Sequence, residues 1–216
     1  QWALMSENDD TLVLNWYGPS MMTASVAGIS VMLEQQTDYP RDGRVIIKVN
    51  PKQPAIFKLK FRIPQWSHQT QISINGSTWT DRIKPATYLV LNREWKSGDE
   101  VILDLDLTPH IWAGEKECAG KASIYRGPIL LAYNLPNKTA LPTLDVKQIS
   151  QATLKRGALW ITLQIPSENG PIELMDYASA GAGGVRYATW LPMNDPPRTP
   201  FSKTRPLPTA PGADQR

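Results

Sequence analysis

The chain has 216 residues, 41% hydrophobic and 20% charged, and its 23 basic against 20 acidic side chains leave a formal charge of +3. This is the composition of a globular protein long enough to bury a core, which excludes disorder as a description of the whole. The small basic excess forms no clustered stripe outside the C-terminal tail, so no nucleic-acid partner is expected, and no apolar run is long enough for a membrane-spanning helix.

No secretory signal opens the chain, which begins at Gln1, and this start is read as a cut made inside a longer protein. The compartment is left open: such a parent could be cytoplasmic, periplasmic or secreted. Cys118 is the single cysteine, so neither an internal disulfide nor a cysteine-rich zinc site can be built from this chain.

In chain order, the acidic run Glu7 to Asp10 comes first. Its oxygens could help to hold calcium, but such a run more often forms a solvated turn before a strand. Val45, Ile47 and Val49 then alternate with polar neighbours, after a turn signal at Pro40 and Asp42-Gly43. In "FKLKFRIPQWS" the alternation is strict: Phe57, Leu59, Phe61 and Ile63 point one way, and Lys58, Lys60 and Arg62 the other. A strand with one face in a core and one in water has this pattern. Asn75-Gly76, between Ile74 and Trp79, is a strong hairpin signal. Val101, Leu103, Leu105 and Leu107 repeat the alternation, with Asp104 and Asp106 opposite.

From Ile111 to Lys121 the pattern loosens into a glycine-containing loop. "ASIYRGPILLAYN", "ALWITLQI" and "GVRYATWLPM" then supply a second group of strands, including Leu159, Ile161, Leu163 and Ile165. No window carries a sustained helical stripe. The expected fold is all-β, an antiparallel β-sandwich in two stacked units: a first sandwich over 1–114 and a smaller second one over 115–193. Residues 194–216 form a proline-rich tail that cannot bury a core and is expected to be extended or disordered.

Asp104 and Asp106, two apart on one strand, would place their Cα atoms about 6.6 Å apart. An inverting glycosidase pair separates its carboxyl groups by roughly 6.5–9.5 Å. Neighbours on one open strand, however, lack the opposed placement and raised pKa of catalytic acids, so a solvated acidic face is the preferred reading. His68 and His110 are isolated and read as surface or loop histidines, not metal ligands. Cys118, among Glu115 and Glu117, lacks the environment that activates a thiol. The glycine-rich run Ala178 to Arg186 lacks the Gly-Lys-Ser/Thr ending of a phosphate loop and reads as a connector. Asn75 and Asn137 head N-x-S/T triplets, which matter only in a eukaryotic secretory pathway.

The eight tryptophans, Trp2, Trp16, Trp66, Trp79, Trp95, Trp112, Trp160 and Trp190, could form a sugar-stacking platform or fill a core. Trp66, just after Pro64, reads as a lid at a strand end.

Five segments in order, "LEQQTDYPRDGRVIIKV", "FKLKFRIPQWS", "ISING", "YLVLNREWKSGDEVILDLDL" and "ASIYRGPILLAYN", carry a resemblance. Together with "IELMDYASAGAGGVRYATWL" they resemble the C-terminal region of bacterial beta-L-arabinofuranosidases, glycoside hydrolase family 127 and its relatives, over about residues 10 to 193. The resemblance implies a catalytic (α/α)6 barrel followed by β-sandwiches. It also implies a cysteine nucleophile held in a zinc site with other cysteines and a glutamate, all on the barrel. None of those motifs matches a position here, so the sequence supplies no catalytic, cofactor-binding or metal-binding residue, and zinc is expected only in the missing catalytic domain. The resemblance thus implies a non-catalytic segment that packs against the barrel of its own parent chain, with Trp66 packing near the seam. The alternatives are an independent carbohydrate-binding module, for which plant cell-wall glycan is the partner class, and a protein-interaction sandwich.

Overall fold

The computed structural model describes residues 3–135, 140–157 and 160–195. Trp2, Asn137, Leu159 and the proline-rich tail from residue 196 onward lie outside the described residues. The chain divides into two compact units, Gln1–Thr108 and Pro109–Arg216.

In the first unit, β1 (Leu4–Asn8), β2 (Thr11–Leu14), β3 (Ser20–Val26), β4 (Ile29–Thr37) and β5 (Arg44–Pro51) precede β6 (Ala55–Ile63). After it come β7 (Gln71–Ile74), β8 (Ser77–Thr78), β9 (Thr87–Trp95) and β10 (Asp99–Asp104). They form two sheets, a four-stranded one in the order β1-β2-β6-β9 and a six-stranded one in the order β3-β4-β5-β10-β7-β8. The pairings are antiparallel with one exception: β2 and β6 run parallel, Leu12 opposite Leu59 and Leu14 opposite Phe61. The chain leaves β2, builds β3, β4 and β5 in the other sheet and then returns, a crossover that allows the same strand direction.

The alternation in β6 is realised as expected, with Phe57, Leu59, Phe61 and Ile63 buried and Arg62 exposed. These residues share one core with Leu12, Leu14, Val45, Ile47, Val49, Val101 and Leu103 from both sheets. Each fully buried aliphatic or phenyl side chain contributes roughly 1.5–3 kcal/mol relative to exposure, so this inner face is the main stabilising element of the unit. Trp95, the last residue of β9, belongs to the same core with no exposed surface, its indole N–H donating to the Phe57 carbonyl at 3.0 Å.

Turn chemistry fixes the register. Asn75 and Gly76 both adopt left-handed backbone, φ 49° and 80°, as a tight two-residue hairpin between β7 and β8 requires. The Asn75 side chain also accepts from Glu100 N–H and donates to Asp99 Oδ1, each at 2.8 Å, which ties the hairpin to β10. Gly43 is needed for a different reason: a Cβ there would lie 2.2 Å from the Leu105 carbonyl oxygen.

The second unit holds β11 (Pro109–Ala113), β12 (Lys121–Arg126), β13 (Ile129–Leu135) and β14 (Thr153–Arg156). To these it adds β15 (Ile161–Ile165), β16 (Ile172–Asp176), β17 (Arg186–Ala188) and β18 (Leu191–Pro192). A five-residue helix, α1 (Val146–Ser150), is capped by the Asp145 carboxylate, which accepts from Lys147 N–H at 2.7 Å.

The strands of this unit form one connected, branched sheet in the order β11-β12-β13-β16-β15-β14, with β17 on β13 and β18 on β12. The branching has a local cause, since β13 gives different residues to different partners. Ile129 and Leu130 pair with β12, Leu131 and Ala132 with β16, and Tyr133 to Leu135 with β17. Ile124, Leu131, Leu144, Ile149, Ile161, Leu163, Ile165 and Leu174 belong to its core. Residues 109–113, which the sequence pattern assigns to the first sandwich, form the strand β11 paired with β12. The change of unit thus comes at Thr108 and Pro109, ahead of residue 115.

Candidate functional site

The acidic candidates are engaged in structure. β10 ends at Asp104, so Asp104 and Asp106 do not continue along one strand face as their spacing predicts. Asp104 faces Arg44 at 3.4 Å. Asp106 instead turns to cap the next segment, accepting from the Thr108 hydroxyl at 2.6 Å, Thr108 N–H at 3.0 Å and Gln69 N–H at 3.3 Å. Burial pulls its pKa upward, but these hydrogen bonds and the nearby His68 more than offset that and hold the carboxyl below its ordinary value. A general acid needs the opposite shift.

Glu7 pairs with Lys60, and Asp10 with Lys58 at 2.8 Å, so the first acidic run is tied to the outward lysines of β6. Asp9 lines a cleft of about 630 Å³ with Ser6, Asn8, Ser25 and Gly28, between two strand-connecting turns.

His110 stacks on Tyr125, its cross-strand partner, with ring centroids 5.5 Å apart. Cys118 ends a single 3-10 turn, Lys116–Cys118, and is only partly buried. Among the described residues, no three His, Cys, Asp or Glu side chains are placed to hold a metal ion. With Cys118 the only cysteine, the donor set of a cysteine-rich zinc site does not fit this chain. The glycine-rich run is organised by Asp176, whose carboxylate accepts from Ser179 N–H at 2.9 Å and Ile161 N–H at 3.1 Å. Asn134 accepts from Gly181 N–H at 3.1 Å and secures the same turn.

The tryptophans divide by burial. Trp95 is enclosed, while Trp66 and Trp79 pack partly buried against the first core, so Trp66 is a packing residue. Trp190 is half-buried, and Trp16, Trp112 and Trp160 are exposed. Trp112 lies on β11, and Trp160 immediately precedes β15, four strand spacings away in the sheet order.

A second feature, which sequence reasoning did not single out, is the outer face of the four-stranded sheet. Register places Met5 opposite Val13, Val13 beside Lys60, Lys60 opposite Val90, and Arg62 opposite Tyr88. Tyr88 donates its hydroxyl to Asn15 Oδ1 at 2.5 Å, and the Asn15 amide nitrogen contacts Met5 Sδ at 3.3 Å. Met5, Tyr88 and Val90 are exposed, as is Trp16, the residue after Asn15. The period-two pattern of "TYLVLNREW" could have revealed it, because it sets Tyr88 and Val90 opposite the buried Leu91.

Residues 11–107 match the family model described as beta-L-arabinofuranosidase, GH127 middle domain. The sequence resemblance was to a C-terminal region; the matched model carries the description of a middle domain, and it covers the first unit. Among solved structures, a GH127 beta-L-arabinofuranosidase from Geobacillus stearothermophilus T6 superposes with a TM-score of 0.74 at 24% identity, covering 89% of this chain and 35% of its own. A chain described as a glycoside hydrolase gives 0.73 at 23% identity, covering 89% of this chain and 37% of its own. A GH127 beta-arabinofuranosidase gives 0.72 at 24%, covering 89% and 36%. No curated protein matches the chain in sequence. At these identities the structural likeness is one of fold, and the chain spans about a third of the length of the solved proteins it matches. The first unit therefore matches a GH127 middle domain, and the chain shares its fold with part of GH127 enzymes.

Proposed function

We propose that this chain is a non-catalytic β-sandwich segment of a GH127-like glycoside hydrolase. In this reading the parent cleaves arabinofuranosyl or related glycosidic bonds, and its bond-breaking residues lie on an (α/α)6 barrel elsewhere in the same polypeptide. The segment's work is mechanical: it packs against that barrel and shapes the approach to its cleft.

The observation that carries the reading is the family match over residues 11–107, made by the unit whose paired acidic candidates, Asp104 and Asp106, are committed to Arg44 and to a turn cap. The test is the coding sequence around the segment. A reading frame that joins it to several hundred helix-forming residues with a cysteine cluster supports the assignment; a frame that encodes no such region overturns it.

The exposed Trp16, Trp112 and Trp160 favour a second reading, an independent carbohydrate-binding module. Calorimetric titration with arabinan and other plant cell-wall glycans decides between the two, since flat heats across the panel leave that reading without support.

A further inference from the structure

At the tip of the β7–β8 hairpin, β10 holds the Asn75 carboxamide at both ends. Its oxygen accepts from Glu100 N–H and its nitrogen donates to Asp99 Oδ1, each at 2.8 Å. Asp99 is itself fixed, because its other oxygen accepts from Lys96 N–H at 2.9 Å and faces the Arg93 guanidinium at 3.7 Å. Asn75 and Gly76 are both exposed, so water reaches them. An asparagine followed by glycine is especially prone to spontaneous deamidation, since glycine brings no side chain to hinder its own backbone nitrogen. The pair that makes the turn is therefore chemically labile, and the contacts that tie the turn to β10 restrain the group that reacts.

We propose that Asn75 is a self-modification site gated by the hairpin: it deamidates when β7–β8 lifts from β10, and the product keeps the hairpin from returning. In the reaction the Gly76 backbone nitrogen gives its proton to water and bonds to Asn75 Cγ, the Cγ–Nδ2 bond breaks and ammonia leaves. Water then opens the cyclic imide at either carbonyl and leaves an aspartyl or an isoaspartyl residue. The net change is amide plus water to carboxylic acid plus ammonia, with no redox step. While both ends of the amide are bonded to β10, Cγ is kept from turning to the Gly76 nitrogen, and the native hairpin is protected. After reaction an oxygen stands where Nδ2 donated, so two carboxylates face each other across a contact that had closed at 2.8 Å. An isoaspartyl product fits less well still, since its extra backbone methylene disrupts a two-residue turn with left-handed backbone at both positions. The rest of the hairpin offers little to restore the contact: β8 is two residues long at the sheet edge, and β7 pairs with β10 over four residues. The device lies within the first unit and does not depend on the functional reading above.

Incubation of the full chain at neutral pH, followed by peptide mapping for acid and isoaspartate at Asn75, tests the site and its gate. The expected result is fast conversion in the urea-unfolded chain, many-fold slower conversion in the native chain, and acceleration in native Asp99→Ala. Asn92, followed by arginine, serves as internal control and stays unconverted. No conversion of Asn75 in the unfolded chain overturns the site. Equal rates in native and unfolded chains, or a folded Asp99→Ala chain that converts no faster than the parent, overturn the gate; the first comparison decides alone if Asp99→Ala does not fold. The consequence is read separately by hydrogen exchange over residues 71–78. Asn75→Asp should exchange several-fold faster than the parent and recover part of the loss in high salt, which screens the repulsion from Asp99. Asn75→Ala loses the same contacts without the charge and should not respond to salt. Exchange of Asn75→Asp at the parent rate, or an equal salt response in both variants, overturns the claim that the new carboxylate holds the hairpin open.

Discussion

Trp95 and Phe57 lie on neighbouring strands with ring centroids 6.0 Å apart, and the indole N–H of one donates to the carbonyl of the other at 3.0 Å. The pair locks β9 to β6 from inside the core, where neither group can exchange its partner for water. Replacing Trp95 with Phe removes the donor and leaves a void. A loss of roughly 2–4 kcal/mol is expected, read as a lower urea midpoint with an unchanged slope. A shift within error would show that the pair is not structural.

Asp106 makes stability depend on acid. Its folded pKa lies below the ordinary 3.8, so in acid the native state binds fewer protons than the unfolded chain. Its contribution is complete above that value and is lost as pH falls through it toward the lower folded pKa. Asp106→Asn should flatten the dependence of the unfolding midpoint on pH in this acidic window, with a small loss at neutral pH. Parallel curves for variant and parent would contradict the assignment.

Two glycines separate conformational strain from steric clash. At Gly76 an added Cβ meets nothing within 4 Å, so Gly76→Ala carries only the left-handed penalty, about 1–2 kcal/mol. At Gly43 the same atom would lie 2.2 Å from the Leu105 carbonyl oxygen, and backbone must move. Thermal unfolding should therefore rank Gly43→Ala as the more damaging change, and the reverse order would show that the β5 to β10 approach is looser than described.

Asp176 holds two backbone donors with one buried side chain. Asp176→Ala takes the carboxylate partner from Ile161 N–H, at roughly 1–3 kcal/mol for a buried group left unsatisfied, while Ser179 N–H keeps the Asp176 carbonyl at 3.1 Å. Faster proteolysis within residues 160–190, with 57–63 still protected, is the expected pattern in limited digestion. Uniform cleavage of both regions would instead mean that the two units unfold together.

The legibility of each feature in the sequence depends on how local its cause is. The alternation of residues 57–63 and 45–49 declares both strand and core face, because a period of two is set within a few residues. The parallel pairing of β2 with β6 is decided by strands built in between, and no window of sequence contains it. The strand β11 escaped because Pro109 to Ala113 are mostly half-buried and show no alternation. The spacing of Asp104 and Asp106 suits an acid pair only on a strand that runs through both; β10 ends at Asp104, which frees Asp106 to cap Thr108. Arg62 and Tyr88 meet through register across β6 and β9, which alternation alone does not align.

The central claim is that glycosidic bond cleavage belongs to a region outside these residues. It is tested most directly by the hydrolysis rate of an aryl arabinofuranoside by the pure 216-residue chain, with and without added zinc. The account predicts a rate equal to buffer in both conditions; turnover above buffer that scales with the concentration of the chain would contradict it.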